Sequence, residues 1–150
     1  MSRSTAWTLD FGDGLTAVIG SGELAQVVSD PELFPVPHAP RHCSRAMVWQ
    51  GRALPVMDLG RWLKGGEVSR GRLYAGIVAH ENREQTEKAL EFAALLLSAI
   101  PVQRTVDDDA ACSLPPEPAA WREVAWSCFG EGDRLYPILA LSHVFSGTLK

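Results

Sequence analysis

Three clusters of side chains and a scatter of cysteines are the places where this 150-residue sequence could do chemistry. His38 and His42 stand four apart with Cys43 beside the second, a spacing that on a helix would aim two imidazoles and a thiolate at one metal ion. Pro40 lies between them and forbids the regular helix that would align them, so surface imidazoles are expected and a metal site is not. Asp107-Asp108-Asp109 offers carboxylates to a hard cation but lacks the ligand pattern of a calcium loop, and reads as an exposed acidic turn. Asp58 could act with His80 or His143 as an acid and base only if the fold brought them within hydrogen-bond reach. Its place just before an apolar turn suits a helix N-cap better. Cys43, Cys112 and Cys128 are odd in number, widely spaced and without a CxxC, which fits buried reduced thiols rather than a disulfide framework. No G-x-S-x-G elbow, HExxH or glycine-rich phosphate loop occurs, so no catalytic residue, metal ligand or cofactor is expected.

The elements that would position these groups centre on Gly51 to Leu63. The stretch reads as a short apolar strand over Ala53 to Met57, then Asp58 as a cap, then one or two helical turns over Leu59 to Leu63. Pro55 cannot donate to a ladder, so an edge strand or a bulge is expected there. The same pattern returns at a constant offset of 82 residues, Arg52 to Leu63 lying over Arg134 to Phe145 with Arg, Pro and Leu matched outright. Two similar units in one chain are the economical reading.

Glycine-bounded apolar runs at Ala6 to Phe11, Leu15 to Ile19 and Leu24 to Val28 predict a small antiparallel meander. Asp30 to Pro40 holds four prolines in eleven residues and must be extended. Arg45 to Trp49 reads as a strand covered on both faces, and Arg72 to Ala79 as another strand. Asn82 to Ile100 is rich in helix formers, yet Leu90 to Ser98 could equally be a strand, and local propensity leaves both open. Thr105 to Pro118 reads as a solvated connection, followed by a hairpin of Trp121 to Phe129 with Leu135 to Leu139 and a short turn over Ser142 to Phe145.

A net charge of −4 without a Lys/Arg cluster argues against a nucleic-acid partner. The longest apolar run, Phe92 to Val102, is too short to cross a bilayer and contains Pro101, and the first residues lack the apolar core of a signal peptide. A cytoplasmic protein without membrane insertion is the expectation.

Pro40, Gly51, Pro55, Val56, Asp58 and Leu59 keep the spacing of a run of the form P-x-x-x-x-G-v-x-N-l-R-G-x-x-x-P-v-x-D-L. That is the most recognisable run of the CheW family of bacterial chemosensory adaptors, which the chain resembles over nearly its full length. The resemblance implies a mainly β fold, a single domain over residues 1–150 made of two intertwined five-stranded SH3-like β-barrel subdomains with short helices. It also implies a strand at Leu90 to Ser98, and no catalytic chemistry. The partners it implies are the regulatory domain of a CheA-like histidine kinase and the cytoplasmic tip of a chemoreceptor.

Where that run carries Gly, Asn and Arg this chain has Arg45, Val48 and Gln50, and where the family often has a Glu after the third strand it has Gln26. The resemblance therefore places a diverged partner-binding surface on Gln26, Arg45, Val48, Gln50, Gly51, Pro55, Val56, Asp58 and Leu59. Gln26 and Gln50 together replace two opposite charges by two amides, a change that bears on partner choice more than on stability. The alternative is an SH3-like interaction module serving another motility or scaffold partner; a hydrolase is the weaker reading.

Overall fold

The computed structural model describes residues 3–68, 70–81, 90–107, 111–112, 114–115, 120–131 and 134–145. In chain order the strands are β1 (Arg3–Gly12), β2 (Leu15–Gly20), β3 (Leu24–Ser29), β4 (Phe34–Pro35), β5 (Arg45–Trp49) and β6 (Arg52–Met57), followed by helix α1 (Leu59–Lys64). The second half continues with β7 (Tyr74–Glu81), β8 (Leu90–Leu97), β9 (Val102–Asp107), β10 (Ala111–Cys112), helix α2 (Trp121–Val124), β11 (Ala125–Glu131), β12 (Arg134–Leu139) and helix α3 (Leu141–Val144). One sheet has the order β10-β11-β12-β2-β1-β9 and the other β3-β7-β8-β6-β5-β4.

Replacing each strand number by that number plus six, or minus six, converts one order into the other read backwards. Each sheet therefore takes a hairpin from one half of the chain and four strands from the other, which is what intertwines them. The repeat at offset 82 reappears in the bonding. Val56 pairs in parallel with Ala94 on β8, and Ile138 pairs in parallel with Val18 on β2. The amide of Asp58 donates to the His42 carbonyl at 2.6 Å, and that of Ala140 to the Val124 carbonyl at 2.8 Å. Trp62 then bonds back to the Asp58 carbonyl, and Val144 to that of Ala140, both at 3.1 Å.

Strand alternation divides the apolar residues between two destinations. Ala17 and Ile19 on β2, Leu95 and Leu97 on β8, Met57 on β6 and Leu139 on β12 point into a central cluster shared by both sheets. Their neighbours Ala94 and Leu96, with Leu54, Val56 and Ile77, pack into a cluster private to the second sheet. Val18, Phe129 and Tyr136 do the same for the first. Residues Ala93 to Leu97 are all essentially inaccessible because water meets neither face of β8. That continuous burial makes Leu90–Leu97 a strand, and the helix its composition favours would leave part of such a run exposed. The preceding residues 82–89 lie outside the described ones.

Several expectations are corrected. The opening meander stops after one hairpin: β1 pairs with β2, but β3 crosses to pair with β7. The strand β5 is not covered on both faces, since Val48 is 61 % exposed. The strand β6 lies between β5 and β8, not at an edge. Pro55 is tolerated because ladder groups alternate sides: with the Gln50-Gly51 turn fixing the phase, the amide position of residue 55 faces away from β5, toward a β8 partner that first pairs at Val56. Part of the supposed connection after residue 105 belongs to β9, which pairs with β1 from Arg3 to Thr8. Trp121–Val124 opens the last hairpin as a helical turn, not a strand.

Because the central cluster belongs to both sheets, Leu95→Ala is expected to cost about 2–5 kcal/mol and to unfold both sheets together. Guanidinium titration followed by tryptophan fluorescence and by backbone circular dichroism checks this: coincident single transitions are expected, and two separated transitions would contradict a shared core.

Candidate docking surface

The hairpin β5–β6 is turned by two residues, Gln50 and Gly51, with φ of +50° and +75°. Positive φ at both central positions is the turn that matches strand twist, and glycine takes it without strain while Gln50 does not. This turn sets which side chains share a face. On the outer face a row crosses three strands, Phe34 opposite Ala46 and Ala46 opposite Pro55, and the next row sets Val48 opposite Ala53. Phe34, Val48, Ala53 and Pro55 are all exposed. The result is an apolar face of Val48 with the small Ala46, Ala53 and Pro55, continued by Phe34 on a two-residue edge strand with prolines at 31, 35 and 37 in and around it.

The inner face carries Met47 and Trp49 on β5 and leads into the private cluster. Trp49 stacks obliquely on Phe92 of β8, ring centroids 5.1 Å apart, and its indole Nε1 donates to Oε1 of Gln26 at 2.9 Å. In the ladder β3 and β5 are separated by three strands. Four spacings of about 4.8 Å would hold them roughly 19 Å apart in a flat sheet, so the bond requires the sheet to curl enough to bring these two long side chains within reach.

Asp58 occupies the junction of β6 and α1 and is buried. Its Oδ1 accepts from the Arg61 amide at 3.1 Å, capping α1, and from Arg70 Nη2 at 2.7 Å. Its Oδ2 accepts from Arg70 Nη1 at 3.2 Å. Arg70 also donates through Nε and Nη2 to the Phe11 carbonyl, at 3.0 and 2.6 Å. The pair joins α1, the segment before β7 and the end of β1. Both carboxylate oxygens are occupied by structural donors, so Asp58 serves the capping role that its position suggested.

The nine residues assigned to the partner surface fall into distinct settings. Gln26 is exposed at the rim of the curled sheet, and the Gln50-Gly51 turn is exposed at the end of its hairpin. The neighbour of Gln26 fixed by a hydrogen bond is Trp49, the residue preceding Gln50. Val48 and Pro55 lie on the outer face, and Arg45 is half-buried opposite Val56. Val56, Asp58 and Leu59 are buried at 3 %, 7 % and 0 % exposure and support the surface from below. Trp49 and Phe34 were not assigned to this surface. The signal for Trp49 was its parity with Met47, and Phe34 became interpretable only through its pairing with Ala46.

A cavity of about 360 Å³ opens between the sheet and α3, lined by Pro55, Met57, His80, Phe92, Val144 and Phe145 among others. His80 stacks on Phe145 with ring centroids 4.9 Å apart. Burial pushes the nearby Cys43 thiol above its ordinary range, which disfavours the nucleophilic thiolate. Among the described residues no group of three or more His, Cys, Asp or Glu is placed to hold a metal, and no helix is long and apolar enough to cross a membrane.

Two mainly β sheets sharing one core, with an exposed apolar hairpin face, define an interaction fold of two sheet subdomains. The CheW-like domain model matches residues 11–148, and the chain belongs to that family. Its role is accordingly that of a non-enzymatic adaptor or scaffold in a chemosensory system. The crystal structure of the scaffolding protein TtCheW from Thermoanaerobacter tengcongensis is similar to it with a TM-score of 0.74, covering 99 % of this chain and 97 % of that one. The two are 17 % identical, so this likeness establishes the fold. No curated protein sequence matches the chain.

Asp58→Ala should cost about 3–5 kcal/mol in urea unfolding, since it strands a buried guanidinium and uncaps α1. Adding Arg70→Met should recover part of that loss, and a double variant no more stable than the single one would contradict the pairing.

A second prediction concerns pH. Burial raises the Glu23 carboxyl above its ordinary 4.5, with the Gly20 amide opposing the shift. The folded chain thus holds this proton more tightly than the unfolded chain, and stability from the group falls as pH rises through 4.5 and above. Glu23→Gln, which can still accept from Gly20, should be the more stable protein at neutral pH. The difference should vanish in acid below the ordinary carboxylate range; thermal melts across pH measure it.

Proposed function

We propose that this chain is a cytoplasmic coupling protein that joins the cytoplasmic tip of a chemoreceptor to the regulatory domain of a CheA-like histidine kinase. In this reading the kinase domain docks on the outer face around Val48, Ala53 and Pro55, and the receptor tip on the rim carrying Gln26, Trp49 and the Gln50-Gly51 turn. Arg45, Val56, Asp58 and Leu59 hold those two surfaces in shape. The observation that carries the reading is the outer face itself: Val48 is 61 % exposed on a hairpin whose opposite side is packed, and Phe34 on the adjoining β4 is 45 % exposed. Exposed apolar area of this kind, on rigid strands, is the ordinary basis of protein docking. The prolines at positions 31, 35 and 37 blunt the edge beside it, so a partner would meet the face and not extend the ladder.

Each sheet is in this reading the wall of a small SH3-like barrel, with five longer strands and a two-residue edge piece. The bond from Trp49 to Gln26 across the ladder supports closure of the second sheet. The two barrels form one domain through their common core.

The test uses separate co-purifications of the chain with a kinase regulatory domain and with a two-helix receptor-tip fragment from the same genome. Both should bind. Val48→Glu should weaken the kinase interaction by about tenfold or more, by placing a charge in an apolar contact, and leave tip binding unchanged. Undiminished kinase binding by Val48→Glu would remove the outer face from the proposal.

A further inference from the structure

The hydrogen bond at the rim fixes more than the curl of the sheet. An indole N–H can only donate, so the atom of Gln26 that faces Trp49 must be its carbonyl oxygen. The amide nitrogen, with two N–H donors, is thereby turned away from Trp49 on an exposed residue of a strand at the side of the sheet. Arg52 lies directly opposite Trp49 in the hairpin, on the same face, and is also exposed. Trp49 is thus flanked by an amide that has given one lone pair to the indole and turns both N–H donors away from it, and by a guanidinium, which has no acceptor. Glu91, beside Phe92 on β8, belongs by alternation to the opposite face.

We propose that the rim of this sheet is a clamp around Trp49 in which outward donors outnumber acceptors, and that the partner side chain it selects is a carboxylate. The inference rests on the receptor-tip reading of this rim and adds to it the polarity of the contact. A carboxylate can accept from Gln26 and Arg52 together, while its neighbouring methylenes cover the Trp49 ring. A Lys or Arg at the same place would meet donors on both sides. Gln26 acts here as the specificity-determining residue, and Trp49 as the residue that holds its orientation.

Gln26→Glu separates orientation from polarity, because a carboxylate still accepts from the indole while both outward donors are lost. The experiment measures the Kd of wild type and of Gln26→Glu for the two-helix receptor-tip fragment, and for the same fragment with its exposed tip glutamates changed to glutamine. Wild type should bind the acidic fragment about tenfold or more tightly than Gln26→Glu does. The neutralised fragment should bind both proteins equally. Equal or tighter binding of the acidic fragment by Gln26→Glu overturns the donor assignment while leaving the receptor-tip reading of the rim in place. Failure of wild type to bind either fragment overturns the receptor-tip reading of the rim together with the inference. Trp49→Phe frees the amide to rotate, and should reduce the preference for the acidic over the neutralised fragment; a preference kept in full would overturn the orienting role of Trp49.

Discussion

The middle of this molecule depends on strands that have no face left for water. β8 presents Leu95 and Leu97 to one cluster and Ala94 and Leu96 to another, so it has to be covered twice. Its counterpart β2 does the same with Ala17 and Ile19 against Val18. Both halves of the chain contribute to the covers, through the exchange of hairpins between the sheets. The helices α1, α2 and α3 are short because their task is limited: Leu59, Leu63, Val124, Leu141 and Val144 fill the central cluster where strands leave it open.

A polar interaction sits among these apolar ones. Asp58 and Arg70 are nearly inaccessible, with side-chain exposures of 11 % and 7 %, and each has more than one partner. Such a pair adds little net stability over an apolar substitute, since desolvating both charges opposes their attraction. What it contributes is position. It demands that the start of α1, the segment before β7 and the Phe11 carbonyl meet at one point, which apolar contacts alone do not specify. Gly60 belongs to the same constraint: a Cβ there would stand 2.8 Å from the Phe11 carbonyl oxygen and 3.0 Å from Arg70 Nη2.

Local signals made much of this readable from sequence. The strand, cap and helix at Arg52 to Leu63 and its echo at Arg134 to Phe145 were legible because proline, aspartate and apolar spacing act within a few residues. The partners of those strands were not. β3 follows β2 after a glycine turn, and nothing nearby says that it pairs with β7 some fifty residues later. The end of β9, from Thr105 to Asp107, was read as part of a connection because an exposed polar residue such as Thr105 hides its pairing with β1. The outward turn of Val48 was misread for a related reason: an all-apolar run looks the same whether one face is covered or two.

The surface residues carry the same lesson one level further. Gln26 and Gln50 in sequence are two neutral amides, interchangeable in charge and propensity. In the fold they differ, because only Gln26 meets a donor that has a single chemical option. The indole of Trp49 settles which end of the amide faces outward, and so converts a neutral residue into a directional one. Gln50 has no such tie among the described contacts, and its strained φ leaves it a turn residue first. The polarity that this rim presents therefore comes from a side chain's orientation, a property that composition and motif spacing do not encode and that one cross-sheet hydrogen bond supplies.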